Sequence, residues 1–196
     1  YPMRYIISLI LIFAVSCSNN NPLLSRLDYI DSIMDANPQA AYDSLCAIKN
    51  TQNIAPAKNV DMKWRMLMAT AQNKLYMQMP TDSTFSEVVA YYDRNGSDNE
   101  KMQSRYLLGC IYRDMNDAPK AIECYQQALC YADTTDENCN YNTLFRIYGQ
   151  MAPLYVDNHL YTEALIAHQK ASIYALKAGD IYQYIRGKEL TGGDYY

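Results

Sequence analysis

From Leu23 onward, apolar residues recur at intervals of three and four. Leu23, Leu24, Leu27, Ile30, Ile33 and Met34 form the first such stripe, a spacing that places them on one face of a helix. Asn37-Pro38 reads as a cap followed by a first-turn proline, and Ala41, Leu45, Ala47 and Ile48 carry the second helix. A linker follows over Thr51 to Ala57, with Pro56 inside it. Val60 to Met77 repeats the helical period through Met62, Trp64, Met66, Leu67, Met68, Ala71 and Leu75. Pro80-Thr81-Asp82-Ser83 breaks it, and Thr84-x-x-Glu87 has the form of a capping box. The helix so opened carries Val88, Val89, Tyr91 and Tyr92 and closes at Asn95-Gly96-Ser97. Two further helix pairs are predicted, 99–115 with 118–132 and 141–157 with 160–178. Connections are short except from Ala132 to Tyr141. The pattern predicts an all-α chain of antiparallel helical hairpins.

Composition narrows this further. Apolar residues make up 49% of the 196, enough for a core, while 7 Gly and 7 Pro are too few to punctuate a sandwich or barrel. The net charge is −4 with no basic stripe, which excludes a surface built to track phosphates. Tyrosine stands out, with 20 against 3 Phe and 1 Trp. Tyr5 to Val15 is an apolar run broken only by Ser8. It falls short of the ~20 residues that span a bilayer and has the length of an export-signal core.

Ala14-Val15-Ser16-Cys17 resembles a bacterial lipobox. The resemblance implies removal of residues 1–16, acylation of Cys17, and a polar tether over 17–22. Further on, Leu108-Gly109-x₂-Tyr112-x₈-Ala121-x₃-Tyr125-x₂-Ala128 is echoed by Met151-Ala152-x₂-Tyr155-x₈-Ala164-x₃-His168-x₂-Ala171, at an offset of 43 residues. The small residues let paired helices approach, and the rings fill the space between them. Tyr125 is expected to fill space toward the next hairpin. The pattern resembles the tetratricopeptide repeat, whose period is ~34, with nine extra residues placed in the loop around Thr134 to Asn140. The aromatic usual at the repeat start is Arg105 in one copy and Tyr148 in the other.

The resemblance implies a right-handed solenoid, with degenerate hairpins over 23–96, two repeats over 99–178 and an incomplete repeat over 180–196. As a whole the chain is similar to repeat-bearing lipoproteins of Gram-negative bacteria. That implies a non-enzymatic protein–protein interaction module held at the cell envelope through its lipid, with a protein or peptide partner in a concave groove. Gln103, Tyr106, Arg113 and Arg146 are the expected exposed groove residues. The alternative is the N-terminal sensory region of a longer membrane signalling protein.

Candidate chemistry elsewhere is sparse. His159 falls at an inter-helix turn and His168 at a repeat packing position. No nucleophile motif, phosphate loop or zinc-helix pattern is present, so no catalytic residue, metal or cofactor is expected. Beyond Cys17, the cysteines are Cys46, Cys110, Cys124, Cys130 and Cys139. An oxidising compartment permits a disulfide among them, against a reading as small apolar filler. Met62, Met66 and Met68, with Met77 and Met79, read as core before soft-metal or adaptable surface. Asp28 with Asp31, and Asp133, Asp136 and Glu137, lack calcium-loop spacing and read as solvated faces. Pro153 lies inside a helical stretch, where it frees the Gly149 carbonyl and predicts a kink or restart.

Overall fold

The computed structural model describes residues 21–51 and 57–192. The export-signal reading, Cys17 and most of the tether and the linker lie outside them. The described residues form α1 (Pro22–Ile33), α2 (Pro38–Thr51), α3 (Lys58–Lys74), α4 (Asp82–Asn95), α5 (Asp98–Asp114), α6 (Ala118–Leu129), α7 (Tyr141–Asp157), α8 (Tyr161–Lys177) and α9 (Ile181–Leu190), with no strand among them. Each helix packs on the next in the chain. In addition α1 touches α3, α3 touches α5, and α5 touches α7. The odd-numbered helices α1 to α7 therefore form one layer, backed by α2, α4, α6 and α8. The all-α, helical-repeat solenoid read from the pattern is the fold observed.

Local chemistry sets the boundaries. Asn37 Oδ1 accepts from the Ala40 amide at 3.1 Å ahead of Pro38, as expected. Two other boundaries differ from the sequence reading. The cap of α4 is Thr81, whose Oγ1 accepts from the Thr84 amide, so Thr84 is already inside the helix. Ser97 does not close α4; it opens α5 through a capping box with Glu100, at 2.8 Å from the Ser97 amide to Glu100 Oε2. Two orphan donors are satisfied reciprocally there. α3 stops at Lys74, not Met77, because Tyr76 turns left-handed at φ 54°. α7 runs through Pro153 as one helix.

The turns repeat one device. Tyr76, Asn116, His159 and Gly179 all have positive φ. Each is followed by an amide bonded to the carbonyl five residues back: Met77 to Gln72, Asp117 to Tyr112, Leu160 to Tyr155 and Asp180 to Ala175, all at 2.9 Å. This is the Schellman closure of a helix C-terminus. The loop before α7 is tied down by Asn99, whose Nδ2 donates to the Asn138 carbonyl while its Oδ1 accepts from the Asn140 amide.

The core falls into a smaller cluster across α1 to α3 and a larger one from α3 to α8. Burial of Tyr125, Phe85, Leu107, Ile111 and Ile147 is worth about 1.5–3 kcal/mol per side chain. Gly109 shows how tightly α5 and α6 meet. A Cβ there would stand 2.4 Å from Tyr125 Cε1. Tyr125 thus fills its own hairpin rather than the gap to the next, and its ring lies 6.0 Å from that of Tyr106.

The two hairpins reproduce each other's side-chain pairs at the 43-residue offset. Arg105 Nη1 donates to Gln127 Oε1 and its guanidinium lies 5.6 Å from the Tyr131 ring. In the second hairpin Tyr148 accepts from Lys170 Nζ and stacks on Tyr174 at 5.7 Å. The cation–π pair in one copy is a ring stack in the other.

Candidate functional site

The inner helices present polar side chains at helical spacing. On α5 these are Gln103, Tyr106 and Arg113; on α7 they are Thr143, Arg146 and Gln150; on α3 they are Thr70 and Asn73. They meet in rungs across three helices. Gln103 Nε2 donates to Thr70 Oγ1 at 3.3 Å, while Gln103 Oε1 accepts from Thr143 Oγ1 at 2.7 Å. In a second rung Arg113 donates to Gln150 Oε1 at 2.7 Å and to Asn73 Oδ1 at 3.2 Å. Between these rungs Asn73 Nδ2 donates to the Tyr106 hydroxyl at 3.2 Å.

Arg146 reaches farther. Its Nη2 lies 2.9 Å from Asp35 Oδ1, in the turn after α1. Lys74 holds the same carboxylate oxygen at 2.5 Å. Burial raises the Asp35 carboxyl, but the hydrogen bonds and charges of Lys74 and Arg146 prevail and hold it below the usual carboxylate range. Lys74 is pushed below its ordinary value, first by burial and then by the Arg146 charge.

Two cavities open along this face, of about 610 Å³ and about 260 Å³. Arg146 lines both. The larger holds Lys74, Arg113, Arg146 and Arg186 against one lining carboxylate, Asp180. The larger cavity is thus cationic on an acidic chain, whereas the smaller sets Asp31, Asp35 and Glu100 against Lys63 and Arg146. Arg186 makes no ion pair among the described residues.

The four groove residues expected from sequence share this face, and their state differs from the expectation. None is exposed. Tyr106 is buried at 2%, and burial raises its hydroxyl well above the ordinary tyrosine value. Gln103, Arg113 and Arg146 are half-buried and already bonded. They are the cross-links that hold the groove together, and only their spare hydrogen-bonding capacity faces the cavities. Sequence reading missed Thr70, Asn73, Asp35 and Arg186. Thr70 and Asn73 carried a signal: they sit 33 residues before Gln103 and Tyr106, one repeat period upstream.

His168 lines the larger cavity, and burial lowers its pKa below the ordinary histidine value. The five described cysteines are all free thiols. Burial pushes Cys124 up to about 11. Met62 and Met66 are core residues, whereas Met68, Met77 and Met79 line an outer apolar cavity with Trp64. No group of three His, Cys, Asp or Glu side chains among the described residues is placed to hold a metal. Among the same residues no helix is long and apolar enough to cross a membrane. Compared with known families, characterised proteins and solved structures, the chain matches none.

Proposed function

We propose that the protein is a non-enzymatic interaction module of the tetratricopeptide type, lipid-anchored through Cys17 at the envelope of a Gram-negative bacterium. Its inner groove takes a peptide segment of a protein partner. The observation that carries this reading is the pair of neighbouring cavities on the inner layer, floored by bonded side chains from three successive inner helices. Such a floor is pre-organised, so a ligand is bound without first ordering the residues that meet it. Gln103 and Arg113, ten residues apart on α5, and Arg146 on α7 offer donors along the groove, which suits the carbonyl and carboxylate groups of a peptide. The lipid reading rests on Ala14-Val15-Ser16-Cys17 alone.

A random-peptide selection on the full chain tests the groove. Enriched peptides are expected to bind the native chain and to lose at least tenfold in affinity on Arg113→Ala, read by fluorescence anisotropy. Enrichment of peptides indifferent to Arg113, or no enrichment, overturns the reading. Intact mass of the chain isolated from its native envelope tests the anchor. An unmodified Cys17 refutes that part.

A further inference from the structure

Large apolar side chains are exposed unevenly along this chain. Fifteen are exposed among the described residues, and ten of them lie between Leu160 and Leu190. On α8 they form a stripe. Ala164, Ala167 and Ala175 are buried on one side of the helix. Leu165, Ile166, Ile173 and Leu176 are 43–52% exposed on the other. With Thr162 and Gln169 they cover an arc of ~100°, the width by which a helix normally faces a core. α8 is therefore apolar on two opposite faces. On α9, packed beside it, Ile181, Tyr182 and Ile185 are also exposed.

The repeat supplies an internal control. Leu165, Ile166, Gln169, Ile173 and Leu176 correspond, 43 residues earlier, to Ile122, Glu123, Gln126, Cys130 and Asp133. Glu123, Gln126, Cys130 and Asp133 are exposed although a complete hairpin, α7–α8, follows them. Stacking a further hairpin leaves four of these five positions exposed and Ile122 half-buried, and no large apolar side chain is among the exposed four. The apolar face of α8 has a cover of another kind.

We infer that this cover is a second copy of the chain, with α8 packed antiparallel on its counterpart about a twofold axis at Gln169. A twofold interface must be self-complementary, and this stripe is. Leu165 and Ile173 lie four residues either side of Gln169, and Thr162 and Leu176 lie seven either side. Antiparallel pairing sets Leu165 of each copy against Ile173 of the other. Gln169 meets its own counterpart, and an amide both donates and accepts. On the flank of the stripe, Glu163 comes beside Lys177 of the other copy, whose ammonium lies over the Tyr141 and Tyr174 rings of its own chain. The groove on the inner layer is untouched, so this pairing stands or falls independently of the peptide reading.

Sedimentation equilibrium of the full chain in mild detergent tests it, with Ile173→Glu and Gln126→Glu as paired variants. The native chain is expected to be a reversible dimer. Ile173→Glu weakens it at least tenfold with unchanged circular dichroism, and Gln126→Glu on α6 leaves it intact. In a Gln169→Cys, Cys130→Ser chain, a short bismaleimide is expected to join the two introduced thiols. A monomer at every concentration, a dimer indifferent to Ile173→Glu, or a linkage away from position 169 overturns the proposal.

Discussion

Arg146 and Asp35 lie 111 residues apart in sequence and 2.9 Å apart in space. Their contact ties α7 to the turn after α1, across the mouths of α3 and α5, and Lys74 shares the carboxylate. The Asp35 side chain is 55% exposed, so water screens both pairs. Replacement by Asn is expected to cost about 0.2–1 kcal/mol near pH 7, the range of such pairs. The folded pKa lies below the unfolded 3.8. The stabilisation is therefore complete above the unfolded value and is lost as pH falls through the folded one. Urea unfolding of native and Asp35→Asn chains should differ at pH 7 and converge as the pH falls below the folded pKa. A difference that persists in acid contradicts the ion-pair account.

Gly109 and Gly149 give opposite expectations for one substitution. Gly109→Ala drives a methyl to 2.4 Å from the buried Tyr125 ring. Overpacking costs about 1–3 kcal/mol and outweighs the ~1 kcal/mol of helix propensity that Ala restores. Gly149 faces open space, with nothing within 4 Å of an added Cβ. Gly149→Ala is expected to stabilise by up to ~1 kcal/mol. Thermal unfolding that ranks the two variants the other way refutes the tight α5–α6 contact.

His159 holds φ 60° in the α7–α8 turn, where Asn116 holds 59° in the preceding hairpin. A left-handed residue with a Cβ is strained by roughly 1 kcal/mol. His159→Gly should raise stability by about that amount, less the entropy that glycine adds to the unfolded chain. Denaturant midpoints measure it. A loss would mean that the His159 contact with the Tyr161 hydroxyl, at 3.0 Å, outweighs the backbone strain.

The thiols should react in order of exposure. Cys130 is exposed, while Cys110, Cys124 and Cys139 are buried and their thiols raised by burial. Thiolate is the reactive form. Timed maleimide labelling near pH 7.5, read by peptide mass, should modify Cys130 within the native state and the buried three only on unfolding. Rapid labelling of Cys110 or Cys124 would show that the α5–α6 hairpin opens readily.

The helices were legible because each buried stripe has the helical period, and short polar breaks separate them. Cap identity was less legible. Thr84 and Ser97 each satisfy a local rule, and only the hydrogen bonds decide which residue starts a helix. The groove face was readable on α5 because Gln103, Tyr106 and Arg113 fall on one side of a helix. Their bonding was not, since Gln103 bonds to Thr70 and Thr143 on two other helices, contacts that the spacing along α5 does not reveal. Asp35 lay out of reach for the same reason: a contact across 111 residues leaves no trace in local spacing. The 43-residue offset foretold the hairpin copy, but not that Arg105–Tyr131 and Tyr148–Tyr174 would be equivalent pairs.

Hydrogen–deuterium exchange of the full chain, with and without a selected peptide, tests the central claim most directly. The account predicts slower exchange along α3, α5 and α7, centred on Asn73, Gln103, Arg113 and Arg146, with α2, α4 and α6 unchanged. Protection confined to α2, α4 and α6 would contradict the inner groove as the binding face.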